Sequence, residues 1–439
     1  MIASRYTLFV PDFPDKGKHL VFNTVSQAQV VIDNELLAAL RALPAEPARA
    51  ETGAALAQLR KMGFLADDGE SDTRSAEAWF LRMEADTTVL RPTVLTTYSC
   101  NFGCRYCVEE GVKKPVFMQD EAAREAAEYI ERKFVQLGSR EIDVYFYGGE
   151  PLLNMPAIRA VAGRLRDFCS ARSAPFSFGF NTNGALFTRE VAEELKPLGL
   201  SWARITLDGT PETHDRNRPF RNGKGSFEKI VENLRSVSDV MSFDVNMNFD
   251  DSSWEEGPAL LEYLARAGLA PKVRKVTFTP ITPTPRDRAG MQPATELDCP
   301  PSSPETARRL IQLRRMALEK GYHVDVAVTT RTCAMTMRRS HFIVDPDGDL
   351  YRCGGFAGRK EFGHGTIRGE REDRFLGSQR WRRCLECAYA PLCGDGCPFG
   401  AYLRFGDPSA LDCAKPVMEE MVRESLKLSY MNRKSKAGT

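Results

Sequence analysis

The sequence predicts an α/β fold: a partial (β/α)6 barrel that follows an N-terminal winged-helix-like module and precedes a cysteine-rich C-terminal domain. Three observations predict it. Six β-like runs between about residues 92 and 285 alternate with amphipathic stretches, the pattern of a parallel sheet with helical crossovers. The first 90 residues read as two strands and about three helices. From about residue 330 the chain becomes loop-rich and dense in cysteine, which suits a small domain held by metal rather than by a core. At 439 residues the chain exceeds one ordinary core, so two or three domains are expected.

In the first unit, 1–90, Tyr6–Val10 and His19–Asn23 read as a strand pair around a Pro/Gly/Lys turn. Ser26 to Leu43 reads as helices, with Val30, Val31, Leu36, Leu37 and Leu40 near helical spacing. Leu56, Leu59 and Met62 fall three apart on a further helix, which Gly63 can end. In the barrel, 91–285, the strands are Val94–Thr97, Ile142–Tyr147, Phe176–Phe180, Ala203–Leu207, Phe243–Met247 and Val273–Thr279. Asp120–Val135, Ala157–Phe168, Arg189–Leu198, Phe227–Val237 and Ala259–Ala267 read as the helices between them. Residues 286–329 form a Pro-rich, then helical, connector, and 330–439 the last domain. The polar, basic tail from Met431 reads as a solvated, frayed end.

A net charge of +1 gives no push towards nucleic acid or an anionic membrane. There is no run of 18 apolar residues and no signal-peptide core at the start, so the expected location is cytoplasmic. That compartment keeps thiols reduced, and disulfides explain twelve cysteines poorly. Ten of them fall into clustered spacings; Cys169 and Cys299 stand apart.

Cys100, Cys104 and Cys107 lie in one short loop just past the first barrel strand. In such a sheet the chemistry sits at the carboxyl ends of the strands. Three thiolates on one loop can hold three corners of a four-iron cube and leave the fourth iron open to bind a small molecule and pass it one electron. Zinc normally wants a fourth ligand or a water and transfers no electron. Gly148, Gly149, Glu150 and Pro151 end the second strand: the glycines permit close approach to backbone, and Glu150 can accept from an ammonium group. Asn181-Thr182-Asn183-Gly184 and Thr206-Leu207-Asp208-Gly209 end the third and fourth with short polar side chains. Each is an ordinary turn taken alone. Together they give successive strand ends the same polar, glycine-rich character.

On these motifs the chain resembles the radical S-adenosylmethionine (SAM) superfamily over roughly 92–285. The resemblance implies that Cys100, Cys104 and Cys107 hold a [4Fe-4S] cluster and that SAM chelates its open iron. Gly148, Gly149 and Glu150 would then position the amino group, Asn183 and Thr206 would supply polar contacts, and Tyr106 would pack against adenine. Arg216 or Arg218 is a candidate for a carboxylate, and His341 reads as structural. Cys333, Cys353, Cys384, Cys387, Cys393, Cys397 and Cys413 resemble the SPASM extension of peptide-modifying members. By that pattern Cys384, Cys387, Cys393 and Cys413 hold one auxiliary [4Fe-4S] cluster, and Cys333, Cys353 and Cys397 another, three clusters in all. A fourth ligand expected shortly before Cys333 is missing from Ala327 to Thr332; Cys299 could replace it, or the iron could take a substrate thiol. Cys169, inside an amphipathic helix, reads as core.

The first unit resembles the small modules that take a leader peptide as an added strand. The implied function is therefore a peptide maturase: a precursor peptide substrate, an electron donor such as flavodoxin or ferredoxin, and a cysteine-to-carbon thioether as product. Formylglycine formation as in sulfatase maturases, carbon–carbon crosslinking, and a non-catalytic zinc-bound scaffold are the alternatives. Gly354, where sulfatase maturases carry an acidic residue after the cysteine matching Cys353, weighs against the first.

Overall fold

β-Branched and aromatic runs of seven to nine residues, each followed by an amphipathic helix, can bury both faces only as a parallel sheet under helices. The computed structural model describes residues 1–44, 50–107, 115–281, 303–329 and 333–437. Cys299 and residues 330–332 lie outside the described residues. The chain divides into two units: Asp86–Asp325 with Arg339–Phe375, and Met1–Ala85 with Val326–Arg338 and Leu376–Thr439.

The first of these contains all six predicted strands: Val89–Thr97, Glu141–Gly148, Phe176–Thr182, Leu200–Thr206, Phe243–Phe249 and Val273–Pro280. They pair in parallel, in chain order. Helices Asp120–Leu137, Met155–Ser170, Arg189–Leu195, Phe227–Val237 and Gly257–Arg266 connect them. The alternation along each strand separates two faces. Ile205 looks towards the helices: a Cβ on Gly184 would lie within 3 Å of both Ile205 and Ile230 of the fourth helix. Trp202, Arg204 and Thr206 therefore look into the barrel. Asn246, register partner of Thr206, shares that face. Two strands from the cysteine-rich region extend the sheet: His341–Val344 lies parallel to the first barrel strand, and Leu350–Tyr351 antiparallel to that.

In the second unit Thr7–Val10, Lys18–Asn23 and Gln29–Asp33 form an antiparallel three-stranded sheet. The last strand corrects the helical reading of Ser26 to Leu43. Val30, Val31 and Ile32 are β-branched and pair with Val21, Leu20 and His19. Gln27, at φ 61°, turns the chain before them. The helix begins only at Asn34, where Asp33 accepts from the Leu36 N–H at 3.0 Å. Helices Ala50–Lys61 and Gly69–Ala85 follow. Phe80 stacks on Trp381 at 4.6 Å and 5°, and the Trp381 indole donates to Glu84 at 2.7 Å. Tyr6 Oη donates to the Leu385 carbonyl at 2.5 Å, and Thr24 Oγ1 to that of Ala388 at 2.7 Å. The cysteine-dense segment is thus built onto the N-terminal sheet and helices. Helix Lys415–Ala437 takes in most of the tail expected to fray. Among the described residues no helix is long and apolar enough to cross a membrane.

Candidate active site

The chain leaves the first barrel strand at Thr97 and enters the loop that bears Cys100, Cys104 and Cys107. The end of the second strand is stitched to this exit: Gly149 N–H donates to Thr97 O at 3.0 Å, and Glu150 N–H to Ser99 O at 2.9 Å. Gly148 sits at φ 135°, and a Cβ there would lie 2.2 Å from Thr97 O. A Cβ on Gly149 would lie 2.2 Å from Ser99 O and 2.9 Å from Tyr98 O. The close neighbour these glycines admit is therefore the backbone of the cysteine loop.

Glu150 is fully buried. Its Oε1 accepts from Leu152 N–H at 3.1 Å and Thr182 Oγ1 at 2.8 Å, and its Oε2 from Asn183 N–H at 2.7 Å. The carboxylate thereby fastens the second strand end to the third. Asn183 extends the connection to the loop: its Nδ2 donates to Asn101 Oδ1 at 2.7 Å and lies 3.9 Å from Cys100 Sγ. Phe102 N–H also points at Cys100 Sγ, at 3.4 Å. Cys100, Cys104 and Cys107 are each half-buried.

From the far side, residues 217–221 clasp the loop. Gly103 N–H donates to Pro219 O at 2.9 Å, Arg105 N–H to Asn217 O at 3.0 Å, and Arg221 Nε to Cys100 O at 2.6 Å. Phe220 meets Phe102 edge-on at 4.9 Å. Arg218 Nη1 donates to Tyr106 Oη at 2.8 Å, as does Asn248 Nδ2 at 3.0 Å, while that hydroxyl donates to Asp208 Oδ2. Asp208 Oδ1 accepts from Asn248 N–H at 2.9 Å. Burial pushes the Tyr106 phenol well above its ordinary range. His214 stands behind: its Nδ1 accepts from Asp208 N–H at 3.1 Å, and its Nε2 lies 3.0 Å from Ser226 Oγ. Burial, then the nearby Arg218 charge, holds His214 well below its usual range, so it is neutral. Thr206 is buried on the barrel's inner face beside Asn246. Asp208, Asn248 and His214 were not singled out from the sequence as parts of this hydroxyl network. The Asp-Gly turn was a signal for Asp208; Asn248 had none.

The C-terminal thiols form a second set. Around Cys384, Cys387, Cys393 and Cys413 the chain makes tight turns, with Cys387 N–H on Cys384 O at 2.9 Å and Gly396 N–H on Cys393 O at 3.4 Å. Gly396, at φ 88°, lets the Asp412 carbonyl approach to where a Cβ would stand at 2.3 Å, which brings the residue before Cys413 in. Burial pushes Cys384 up to about 11, with the Asp395, Cys393 and Cys387 charges adding to it. Cys393 is raised by burial and, among other charges, by Cys413. Cys384 thus lies within electrostatic reach of Cys393 and Cys387, and Cys393 within reach of Cys413. Burial likewise pushes Cys333 up to about 11, and Cys397 adds to it. Cys353 belongs to the barrel-containing unit, just past strand Leu350–Tyr351. There Tyr98 Oη donates to Asp345 Oδ2 at 3.0 Å, linking the start of the first cysteine loop to the turn before Cys353. Cys169 is fully buried in its helix, its thiol pushed up to about 11. His341 Nδ1 contacts the Arg91 carbonyl at 3.0 Å.

Among the described residues no three His, Cys, Asp or Glu side chains converge on a point that could hold a single metal ion. A four-iron cube takes its thiolates at separate corners instead. The donor chemistry around Cys100 fits such a group, since N–H groups aimed at sulfur stabilise a thiolate.

Residues 94–264 match the family model described as the radical SAM superfamily. Fe-coproporphyrin III synthase of Methanosarcina barkeri is 24% identical over 267 residues, 60% of this chain and 60% of that protein. The chain thus spans less than two thirds of that relative's length. Among solved structures, native anSMEcpe with bound AdoMet and Kp18Cys peptide has a TM-score of 0.61 at 16% identity, covering 78% of this chain and 99% of that one. SuiB of Streptococcus suis bound to precursor peptide SuiA has a TM-score of 0.54 at 12% identity, covering 94% and 99%. These structural likenesses show a shared fold.

Proposed function

We propose that this chain, whose residues 94–264 match the radical SAM family model, is a radical SAM enzyme that modifies a ribosomally made precursor peptide, joining a cysteine sulfur to a carbon. One observation carries the reading: a three-cysteine loop at the carboxyl mouth of a six-stranded parallel barrel, tied to Gly149 and Glu150 on one side and residues 217–221 on the other. Cys100, Cys104 and Cys107 would hold a [4Fe-4S] cluster, which supplies one-electron cleavage of SAM to a 5′-deoxyadenosyl radical. Gly148, Gly149, Glu150, Asn183 and Thr206 would set SAM's place at the mouth, and Tyr106 would fix the loop through its hydroxyl.

Thioether formation removes two hydrogens from the peptide. One leaves as an atom from carbon; the other leaves as a proton from sulfur, and the electron left over needs an acceptor. Cys384, Cys387, Cys393 and Cys413 would hold one auxiliary [4Fe-4S] cluster and Cys333, Cys353 and Cys397 would contribute to another, three clusters in total, which would supply that one-electron acceptor chemistry. Residues 1–90 would act as a winged-helix-like peptide-recognition module, adding the leader as a strand to the three-stranded sheet. A flavodoxin or ferredoxin would supply the reducing electron. That SuiB binds the precursor peptide SuiA and anSMEcpe the Kp18Cys peptide, on the same fold, supports a peptide substrate.

The test is anaerobic reconstitution, reduction and incubation with SAM and the short peptides encoded beside the gene. Deoxyadenosine with a peptide mass loss of about two hydrogens per link is the expected result. Zinc without sulfide, or no deoxyadenosine, overturns the proposal.

A further inference from the structure

Arg204 faces the inside of the barrel, and among the described residues no anion stands beside it. Arg204 lies on the fourth strand, two residues before Thr206 and on the same inner face. Its guanidinium is 5.9 Å from the centre of the Trp202 ring, and its Nε is buried without a hydrogen-bond partner. Among the described residues Arg204 makes no ion pair. Its register partner on the fifth strand is Asp244, which could have neutralised it. That carboxylate is instead held by both arms of Arg274, at 2.8 and 2.7 Å. The other register partner is Asn181, which carries no charge.

The surroundings form a wall rather than a random filling. Trp202 lies across Gly179, where a Cβ would stand 2.2 Å from the indole, so only glycine leaves the ring that room. Tyr145 packs on Trp202 at 5.4 Å and on Tyr147 at 5.5 Å. Across the fifth strand, Thr277 presents a buried hydroxyl without a partner. A half-buried guanidinium over an aromatic wall is a poor arrangement alone and a good one for a carboxylate that supplies the missing bonds.

We propose that Arg204 is a substrate-specificity residue: it receives a carboxylate of the peptide inside the barrel, with Trp202 and Tyr145 packing against the neighbouring apolar part. This rests on the peptide-modifying reading above. The carboxylate comes from an Asp or Glu side chain or from a peptide C-terminus, and the test separates them.

The full chain, anaerobically reconstituted and loaded with SAM, is titrated with four versions of N-acetyl-Ala-Ala-Glu-Ala-Ala. They carry Glu or Gln at the centre and a free or amidated end. Trp202 fluorescence is the readout, with Trp202→Phe giving the background of the other tryptophans. Carboxylate-bearing versions should bind about tenfold more tightly than the neutral one, as one charge-assisted pair supplies. A preference that follows Glu against Gln assigns the side chain; one that follows amidation assigns the terminus. Arg204→Gln should erase the preference and Arg204→Lys keep part of it, at equal iron content. Equal binding of neutral and acidic versions by the native chain overturns the proposal. So does a loss in Arg204→Gln confined to the KM for SAM, because the cation would then serve the cofactor. Failure of the native chain to cleave SAM is a separate result that strikes the proposed chemistry instead.

Discussion

The carboxylate of Glu150 accepts a 2.7 Å hydrogen bond from the backbone N–H of Asn183, and through it the ends of two barrel strands hold the cysteine loop at one height. Three donors converge on this acceptor in a site without water access. A carboxylate can accept from all three; an amide turns one oxygen into a donor. Glu150→Gln should cost about 1–3 kcal/mol, the range for leaving a buried polar group unsatisfied. Chemical unfolding and iron content measure it. An unchanged midpoint with full iron would refute the bracing role.

Gly149→Ala is the sharper probe of the same corner. The added carbon would meet backbone oxygens of Ser99 and Tyr98, which have no rotamer to escape into. The loop must move, and the first cluster should be lost, so iron falls by about four per chain against the parent. Iron and sulfide analysis decides it; undiminished iron would show that the loop tolerates displacement.

Tyr106→Phe removes one hydroxyl and leaves Asp208, Arg218 and Asn248 without their shared partner. We expect a loss of about 1–3 kcal/mol in stability and a changed paramagnetic signal on SAM addition. A spectrum and stability matching the parent would assign Tyr106 to ring packing alone.

The two cysteine sets should fail differently. Cys104→Ala should abolish deoxyadenosine formation. Cys387→Ala should leave part of it and stop peptide modification. Peptide modified at full rate by Cys387→Ala would dismiss the auxiliary role.

Asp345 carries a pH signature. Burial pushes its carboxyl from 3.8 to about 6, while Tyr98 donates to it. A raised folded pKa means the folded state binds the proton more tightly. Its favourable contribution is therefore complete below about pH 4 and is lost as pH rises through about 6. Asp345→Asn removes the titration. The difference in melting temperature, parent minus variant, should fall between these two pH values; a flat difference would refute it.

The barrel was legible because its signals are local. Strand and helix periods repeat within a dozen residues, and Cys100, Cys104 and Cys107 sit within one loop. Gln29–Asp33 was not, because Val30 and Val31 fit a helical stripe as well as a strand, and only pairing with Leu20 and Val21 decides between them. Tyr106 reads from the sequence as a ring that packs against adenine; the bond from Asn248 to its hydroxyl had no local signal, because Asn248 lies 142 residues away and meets it only once the strands are in register. Strand His341–Val344 has four residues among loops and gives almost no periodic signal.

That short strand has a consequence for biosynthesis. It covers the outer edge of Val89–Thr97, but His341 and Arg91 are separated by 250 residues of chain. During translation the rest of the six-stranded sheet can assemble while this flank still bares its amides and carbonyls, a template for strands of other nascent chains. The ribosome must deliver residues 341–344 before the flank is sealed. Slow synthesis between the two segments should therefore favour aggregation, and co-expressed chaperones should raise the yield of the full-length protein more than that of the isolated N-terminal segment.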